Sequence, residues 1–103
     1  MPIVHHLVLL KFKPDGADRA ESLFAALAAL RRQLPGFVHF CAGSYASPEG
    51  LNRGFTHGCL MTFADAQARN HYLDHPDHER VKQTFLPFVA DVIAFDFEEN
   101  SAQ

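Results

Sequence analysis

The chain is poor in the residues that mark several common classes of protein. It has no tryptophan and only two cysteines, Cys41 and Cys59, among 103 residues. No CxxC motif is present, and both cysteines lie inside apolar runs. Because unpaired cysteines are usually buried and cytosolic thiols stay reduced, we expect two buried, reduced thiols in a cytoplasmic protein.

Basic stretches, glycine-rich loops and long hydrophobic runs are also missing. Nine lysines and arginines face twelve aspartates and glutamates, giving a net charge of −3, so no basic stripe is available to neutralise nucleic-acid phosphates. No glycine-rich loop follows a predicted strand, so the usual sequence signature of a nucleotide-binding site is missing. No apolar run approaches the ~20 residues of a membrane span. The first residues lack the pattern of a signal peptide. We therefore expect neither nucleic acid nor a membrane as partner.

Hydrophobic periodicity predicts a single α+β domain over residues 1–103. The first apolar run alternates between two faces, as a strand does, and the segment after it repeats leucines at helical spacing until Pro35-Gly36 ends it. Pro76 interrupts the second helical segment. We predict strands over 3–12, 37–45, 55–63 and 91–97, helices over 17–34 and 65–90 (broken at Pro76), and a frayed tail over 98–103. This β-α-β-β-α-β order is the ferredoxin-like plan, a four-stranded antiparallel sheet with two helices on one face.

The sheet face without helices is also predicted to be apolar. It carries Leu7, Leu9 and Leu60, and either Val38 and Phe40 or their alternates. A large uncovered apolar face indicates a partner surface. Two such sheets packed face to face would form a symmetric homodimer that resembles a barrel.

Histidine is the abundant functional residue, with seven in the chain. Imidazole is the unperturbed side chain that titrates near neutral pH, so the cluster predicts proton transfer, polar-ligand binding or metal binding. His75 and His78, with Asp77 and Glu79 near them, offer a weak metal pattern, because Pro76 distorts the spacing and no cysteine is close. We assign no metal and no cofactor.

Several segments, in order along the chain, resemble the stress-responsive dimeric α/β-barrel (Dabb) family. They are His6-Leu7-Val8-Leu9-Leu10-Lys11-Phe12, the run from Ser47 to His57, Tyr72-Leu73-Asp74-His75-Pro76-Asp77-His78, the run from Leu86 to Val92, and Phe95-Asp96-Phe97. The Tyr-x-x-His-Pro-x-His segment is the most specific of these. The resemblance implies a ferredoxin-like dimer. In a plant polyketide cyclase of the family, the tyrosine and histidine matching Tyr72 and His78 carry an aldol ring closure.

The faces of the predicted strands and helices indicate a pocket between them, and the resemblance implies that His78 acts there as general base while Tyr72 donates to an enolate oxygen. Asp74 or Asp77 could orient an imidazole. The expected ligand-binding residues are His6, His57, Phe24, Leu27, Val81 and Phe85.

Other roles remain open for the same residues. His75 could satisfy backbone groups at a helix end, Tyr72 could be an ordinary buried aromatic, and His6 with His57 could be a hydrogen-bonded core pair. At the level of the whole protein, a cofactor-free cyclase or isomerase competes with a non-catalytic, stress-protective or ligand-binding dimer. A cofactor-independent monooxygenase shares the fold, and the missing tryptophan counts against it.

Overall fold

The secondary-structure elements follow the predicted β-α-β-β-α-β order, with the second helix split in two. The computed structural model describes residues 2–99; Met1 and residues 100–103, which include most of the predicted tail, lie outside the described part. The elements are β1 (Val4–Phe12), α1 (Ala20–Leu30), β2 (Phe37–Ser44), β3 (His57–Phe63), α2 (Ala66–Asp74), α3 (Pro76–Phe85) and β4 (Val89–Glu98). A 3₁₀ turn precedes α1 at Ala17–Arg19, and another, Leu86–Phe88, joins α3 to β4.

The sheet has the order β2-β3-β1-β4, and every neighbouring pair is antiparallel. The register places His6 of β1 between Met61 of β3 and Asp96 of β4. The helices pack on one face, so the ferredoxin-like prediction is confirmed. Within the described residues, no helix has the length and apolar character needed to cross a membrane.

The core lies between the sheet and the helices, as the sequence periodicity requires. Leu23, Leu27 and Leu30 project from one side of α1 and are buried. They meet the alternate residues of the strands, including Met61 and the fully buried Phe63. Burial of a side chain of this size stabilises the fold by roughly 1.5–3 kcal/mol.

The first helix is shorter than predicted, because its last turn tightens before the proline. The amides of Arg31 and Gln33 bond to carbonyls three residues back, at Ala28 and Leu30, which is 3₁₀ rather than α geometry. The chain then turns at Gly36 with φ +87°, and a Cβ there would lie 2.7 Å from that of Ala68. Glycine is therefore required both by the backbone angle and by the close helix.

The break in the second helical segment is confirmed, and His75 makes it. Its backbone is extended (ψ 135°), and its Nδ1 accepts a hydrogen bond of 3.0 Å from the Asp77 amide. Pro76 occupies the first turn of α3, where its missing N–H costs nothing. His75 thus has the structural capping role that the sequence left open.

The open face of the sheet is apolar, and for β2 the structure decides between the alternatives that the sequence left open. A bulge between Phe37 and His39 shifts the alternation of β2, so Phe40 packs against the core and Cys41 lies on the open face. Cys41 is exposed, so the prediction of two buried thiols is wrong for it. Cys59 is buried, and burial, with a smaller effect of Cys41, raises its thiol pKa to about 12.

Strand β1 is central, but helices cover only one of its faces. On the other face Leu7 and Leu9 stay partly exposed beside a shallow groove of about 460 Å³. The aromatic residues of β4 on this face are more open still, with Phe95 59% and Phe97 46% exposed. Within one chain, therefore, one face of β1 stays uncovered.

Candidate active site

A cavity of about 250 Å³ lies between the sheet and the helices α1, α2 and α3. Most of its wall is apolar. The polar groups are His6 from β1, Tyr72 from α2, and His78 and Lys82 from α3. The apolar wall includes Leu23, Leu27, Met61, Val81, Phe85 and Val92. An apolar pocket with a few converging polar groups is the usual form of a small-molecule site.

Tyr72 is the centre of the polar group. The residue is 1% exposed, and the centroid of its ring lies 4.4 Å from that of His78 and 5.9 Å from that of His6. Its hydroxyl has no hydrogen-bond partner among residues 2–99. Every fully buried side-chain polar atom in that part has a partner, so the hydroxyl is not one of the fully buried atoms. The hydroxyl therefore opens onto the cavity. Burial, with a smaller effect of Cys59, raises the pKa of Tyr72, so the group remains a protonated hydrogen-bond donor.

His78 is held by the backbone rather than by a carboxylate. Its Nδ1 donates to the Leu73 carbonyl oxygen at 3.3 Å. The other ring nitrogen, Nε2, then carries the lone pair that can accept a proton. Burial lowers the pKa of His78; the Leu73 bond opposes this shift and nearby Lys82 adds to it. Asp77 instead bonds to Arg80. The described hydrogen bonds thus give neither Asp74 nor Asp77 the expected orienting role.

His6 does have a carboxylate partner, and the sequence analysis missed it. Its Nδ1 donates to Asp96 of β4, and the other oxygen of Asp96 accepts from Arg69 of α2 at 2.5 Å. Partial burial alone would raise the pKa of Asp96, but the hydrogen bonds from His6 and Arg69 outweigh it and lower the pKa. The cross-strand pairing of His6 with Asp96 was the available signal, and it requires the strand register.

The structure brings six of the eight predicted site residues to this cavity: His6, Leu27, Tyr72, His78, Val81 and Phe85. His57 and Phe24 are not among its lining residues. The His57 ring packs on Phe12 and Phe24 instead, with centroids 5.2 and 6.3 Å apart. It lies opposite Leu10, near the far end of β1 from His6.

The described part of the chain does not bring together a set of metal ligands. No group of three or more histidine, cysteine or acidic side chains is arranged to hold an ion there. His75 Nδ1, one of the atoms in the weak metal pattern, is occupied by the Asp77 amide.

With this geometry established, comparison with known proteins gives the family. Residues 4–99 match the family model described as Stress responsive A/B Barrel Domain, or Dabb. The chain belongs to this family. The match covers all four strands and all three α-helices.

Two similar proteins are an enzyme and a protein of unknown function. Olivetolic acid cyclase of Cannabis sativa is 25% identical over 95 residues, covering 91% of this chain and 94% of the cyclase. A dimeric ferredoxin-like protein of unknown function from Jannaschia sp. is 29% identical, with a TM-score of 0.86 over 94% of this chain and 99% of that one.

A hydroxynitrile lyase from Passiflora edulis shares the Dabb chain's fold with a TM-score of 0.83. It covers 99% of this chain and 97% of the lyase. At 20% identity this likeness concerns the fold alone.

Proposed function

We propose that this Dabb protein binds a small carbonyl compound in the cavity and moves a proton next to the carbonyl without a cofactor. The reaction would be of the cyclase or isomerase type. One observation carries the proposal: a basic imidazole nitrogen on His78 and an unpartnered hydroxyl on Tyr72 meet at the same end of an apolar cavity. The similarity to olivetolic acid cyclase supports it.

In the proposed step, His78 Nε2 takes a proton from the carbon beside the carbonyl. The C–H electron pair forms a carbon–carbon double bond, the π pair of the carbonyl moves to its oxygen, and Tyr72 donates a hydrogen bond to that oxygen as its charge develops. Because the pKa of His78 is lowered, the imidazole is neutral at pH 7 and ready to accept. A well-placed base contributes about 10²–10⁴-fold to the rate.

The size of the cavity limits the substrate. An apolar cavity of about 150 Å³ holds a benzene molecule, so about 250 Å³ accommodates one ring with a short side chain. The apolar wall favours an aryl or alkyl body, and the histidines and Tyr72 favour a carbonyl beside them. Single-ring ketones and short polyketide-like compounds meet both conditions.

We also infer a homodimer formed through the open sheet face, in the cytoplasm. Ile93, Phe95 and Phe97 expose between 42% and 59% of their surface on that face, and an exposed apolar surface of this kind marks an association site. The Jannaschia relative is described as dimeric, which supports the inference. Two free cysteines fit a reducing compartment.

Proton abstraction can be measured before the natural substrate is known. The protein is incubated in D₂O with a panel of aryl ketones and 1,3-diketones, and ¹H NMR follows loss of signal at the carbon beside the carbonyl. We expect exchange faster than in buffer, and loss of at least about 100-fold in His78→Gln.

His71→Gln is the matched control, because His71 is exposed on α2 and does not line the cavity. The control should exchange at the native rate. Binding of the ketones without any accelerated exchange would contradict the catalytic proposal and favour the non-catalytic ligand-binding dimer.

A further inference from the structure

The pair formed by Asp96 and Arg69 lies behind His6, and the proton transfer described above does not use it. The side chains are 25%, 23% and 8% exposed for Asp96, Arg69 and His6 respectively. They come from three elements, β4, α2 and β1. We propose that His6 is a second acid–base group of this cavity and that Asp96 and Arg69 position it. The catalytic part of this inference rests on the proposed function.

The hydrogen bonds determine which atom of His6 faces the ligand. A carboxylate only accepts hydrogen bonds, so Asp96 requires the proton of His6 on Nδ1. Nε2 is then left for the cavity, which His6 lines. Arg69 is a donor-only group on the second oxygen of Asp96 and keeps the carboxylate ionised and in place.

His6 and His78 differ in what lies behind their rings. His78 has a neutral carbonyl, that of Leu73, on its Nδ1, whereas His6 has a carboxylate. A carboxylate is a stronger hydrogen-bond partner for an imidazole that takes or gives a proton than a neutral carbonyl is. The other groups facing His6 are Tyr72, from α2, and His78, from α3, and neither carries a negative charge at neutral pH.

This difference allows two coupled proton movements. His78 Nε2 takes the proton from carbon and becomes positive, while the imidazolium of His6 gives its Nε2 proton to the carbonyl oxygen and becomes neutral. The C–H electron pair forms the carbon–carbon double bond of the neutral enol. The net charge of the cavity does not change, so no new charge has to be buried among apolar side chains. The reverse movements return the protein to its starting state.

The tautomer of His6 can be measured directly in the protein labelled with ¹⁵N-histidine. Long-range ¹H–¹⁵N NMR spectra should show a proton on His6 Nδ1 across the neutral range. In Asp96→Asn, Arg69 will bind the amide oxygen, so the amide NH₂ will face His6 Nδ1; Nδ1 will then lose its proton, and Nε2 will carry the remaining one. Asp91→Asn, an exposed substitution on the same strand, is the matched control and should leave His6 unchanged.

Two results would overturn the positioning role: no proton on His6 Nδ1 in the native protein, or a proton kept on Nδ1 in Asp96→Asn. If Asp96→Asn does not fold, the native spectrum and Arg69→Met decide. In Arg69→Met we expect the proton to stay on Nδ1 and to exchange with water faster, because Asp96 loses its second partner. An unaltered exchange rate would contradict the role of Arg69.

The catalytic role is tested separately by the deuterium-exchange assay. Asp96→Asn should lower kcat by about 10–100-fold, the loss typical when the carboxylate behind a metal-bound imidazole is removed, with little change in KM. A shifted tautomer with native kcat would overturn the acid–base role of His6. Absence of exchange in the native protein would instead refute the proposed function, and the tautomer measurement would still decide the positioning.

Discussion

Substitution of Tyr72 by phenylalanine should separate the structural role of this residue from its functional role. The ring packs against Phe37, Phe63 and His78, with centroid distances of 5.6, 5.4 and 4.4 Å. Phenylalanine keeps these contacts. The hydroxyl has no partner within residues 2–99, so its removal leaves no buried group unsatisfied. We therefore expect the free energy of unfolding to change by less than about 0.5 kcal/mol.

The same substitution should reduce proton abstraction strongly. Removing one preorganised donor to a developing oxyanion typically costs about 10²–10³ in kcat, or roughly 2.7–4 kcal/mol. Tyr72→Ala is the structural control, since deletion of a buried aromatic ring costs about 3–5 kcal/mol of stability. We therefore expect Tyr72→Phe to lose exchange activity but keep its stability, and Tyr72→Ala to lose stability.

Urea unfolding and the deuterium-exchange assay measure the two effects. Tyr72→Phe should unfold at nearly the native urea concentration and exchange the ketone proton about 10²–10³-fold more slowly. A loss of stability above about 1.5 kcal/mol would show that the hydroxyl has a structural hydrogen bond. Native exchange in Tyr72→Phe would refute its role as donor.

Three further predictions concern His78, the open face and the helix break. Because burial lowers the pKa of His78 below its ordinary 6.5, ketone exchange should keep its rate as pH falls to 6.5 and decline only at lower pH. The unfolded chain binds this proton more readily than the folded one, so the free energy of unfolding should fall as pH drops from 6.5 through the folded pKa. An NMR titration that gives His78 a pKa at or above 6.5 would contradict both the rate and the stability prediction. Phe95→Lys should give a monomer in light scattering, because an ammonium group cannot be buried unpaired in an apolar interface, and a persistent dimer would place the interface elsewhere. His75→Ala should cost about 0.5–2 kcal/mol in urea unfolding through loss of the α3 cap, and native stability would show that the cap is dispensable.

Local sequence signals were sufficient for the element order and for most of the core. The leucines of α1 recur at helical spacing because only one side of the helix meets the sheet, and all of that stripe is buried. Pro76 identified the helix break, since it lacks the amide that a helix interior requires. Alternation along β1 correctly placed His6 on the helix side. It also correctly left Leu7 on the open side.

Features that depend on strand register could not be obtained this way. The bulge in β2 places Phe40 on the core side and Cys41 on the open side, which simple alternation left undecided, because one extra residue shifts every later side chain to the other face. Asp96 was overlooked between two phenylalanines, and only its alignment with His6 gives it meaning. His57 was on the expected face, but its distance along the strand separates it from Tyr72.

The most direct test of the account is to determine whether the ketone binds in the cavity or in the open-face groove. Backbone ¹H–¹⁵N spectra of the native protein should be recorded during titration with a single-ring aryl ketone. We predict that the largest shifts occur at the amides of Leu73, His78 and Val81, around the cavity. Shifts confined to Cys41, Gly43 and Leu60, in the open-face groove, would contradict the assignment of the cavity as the functional site.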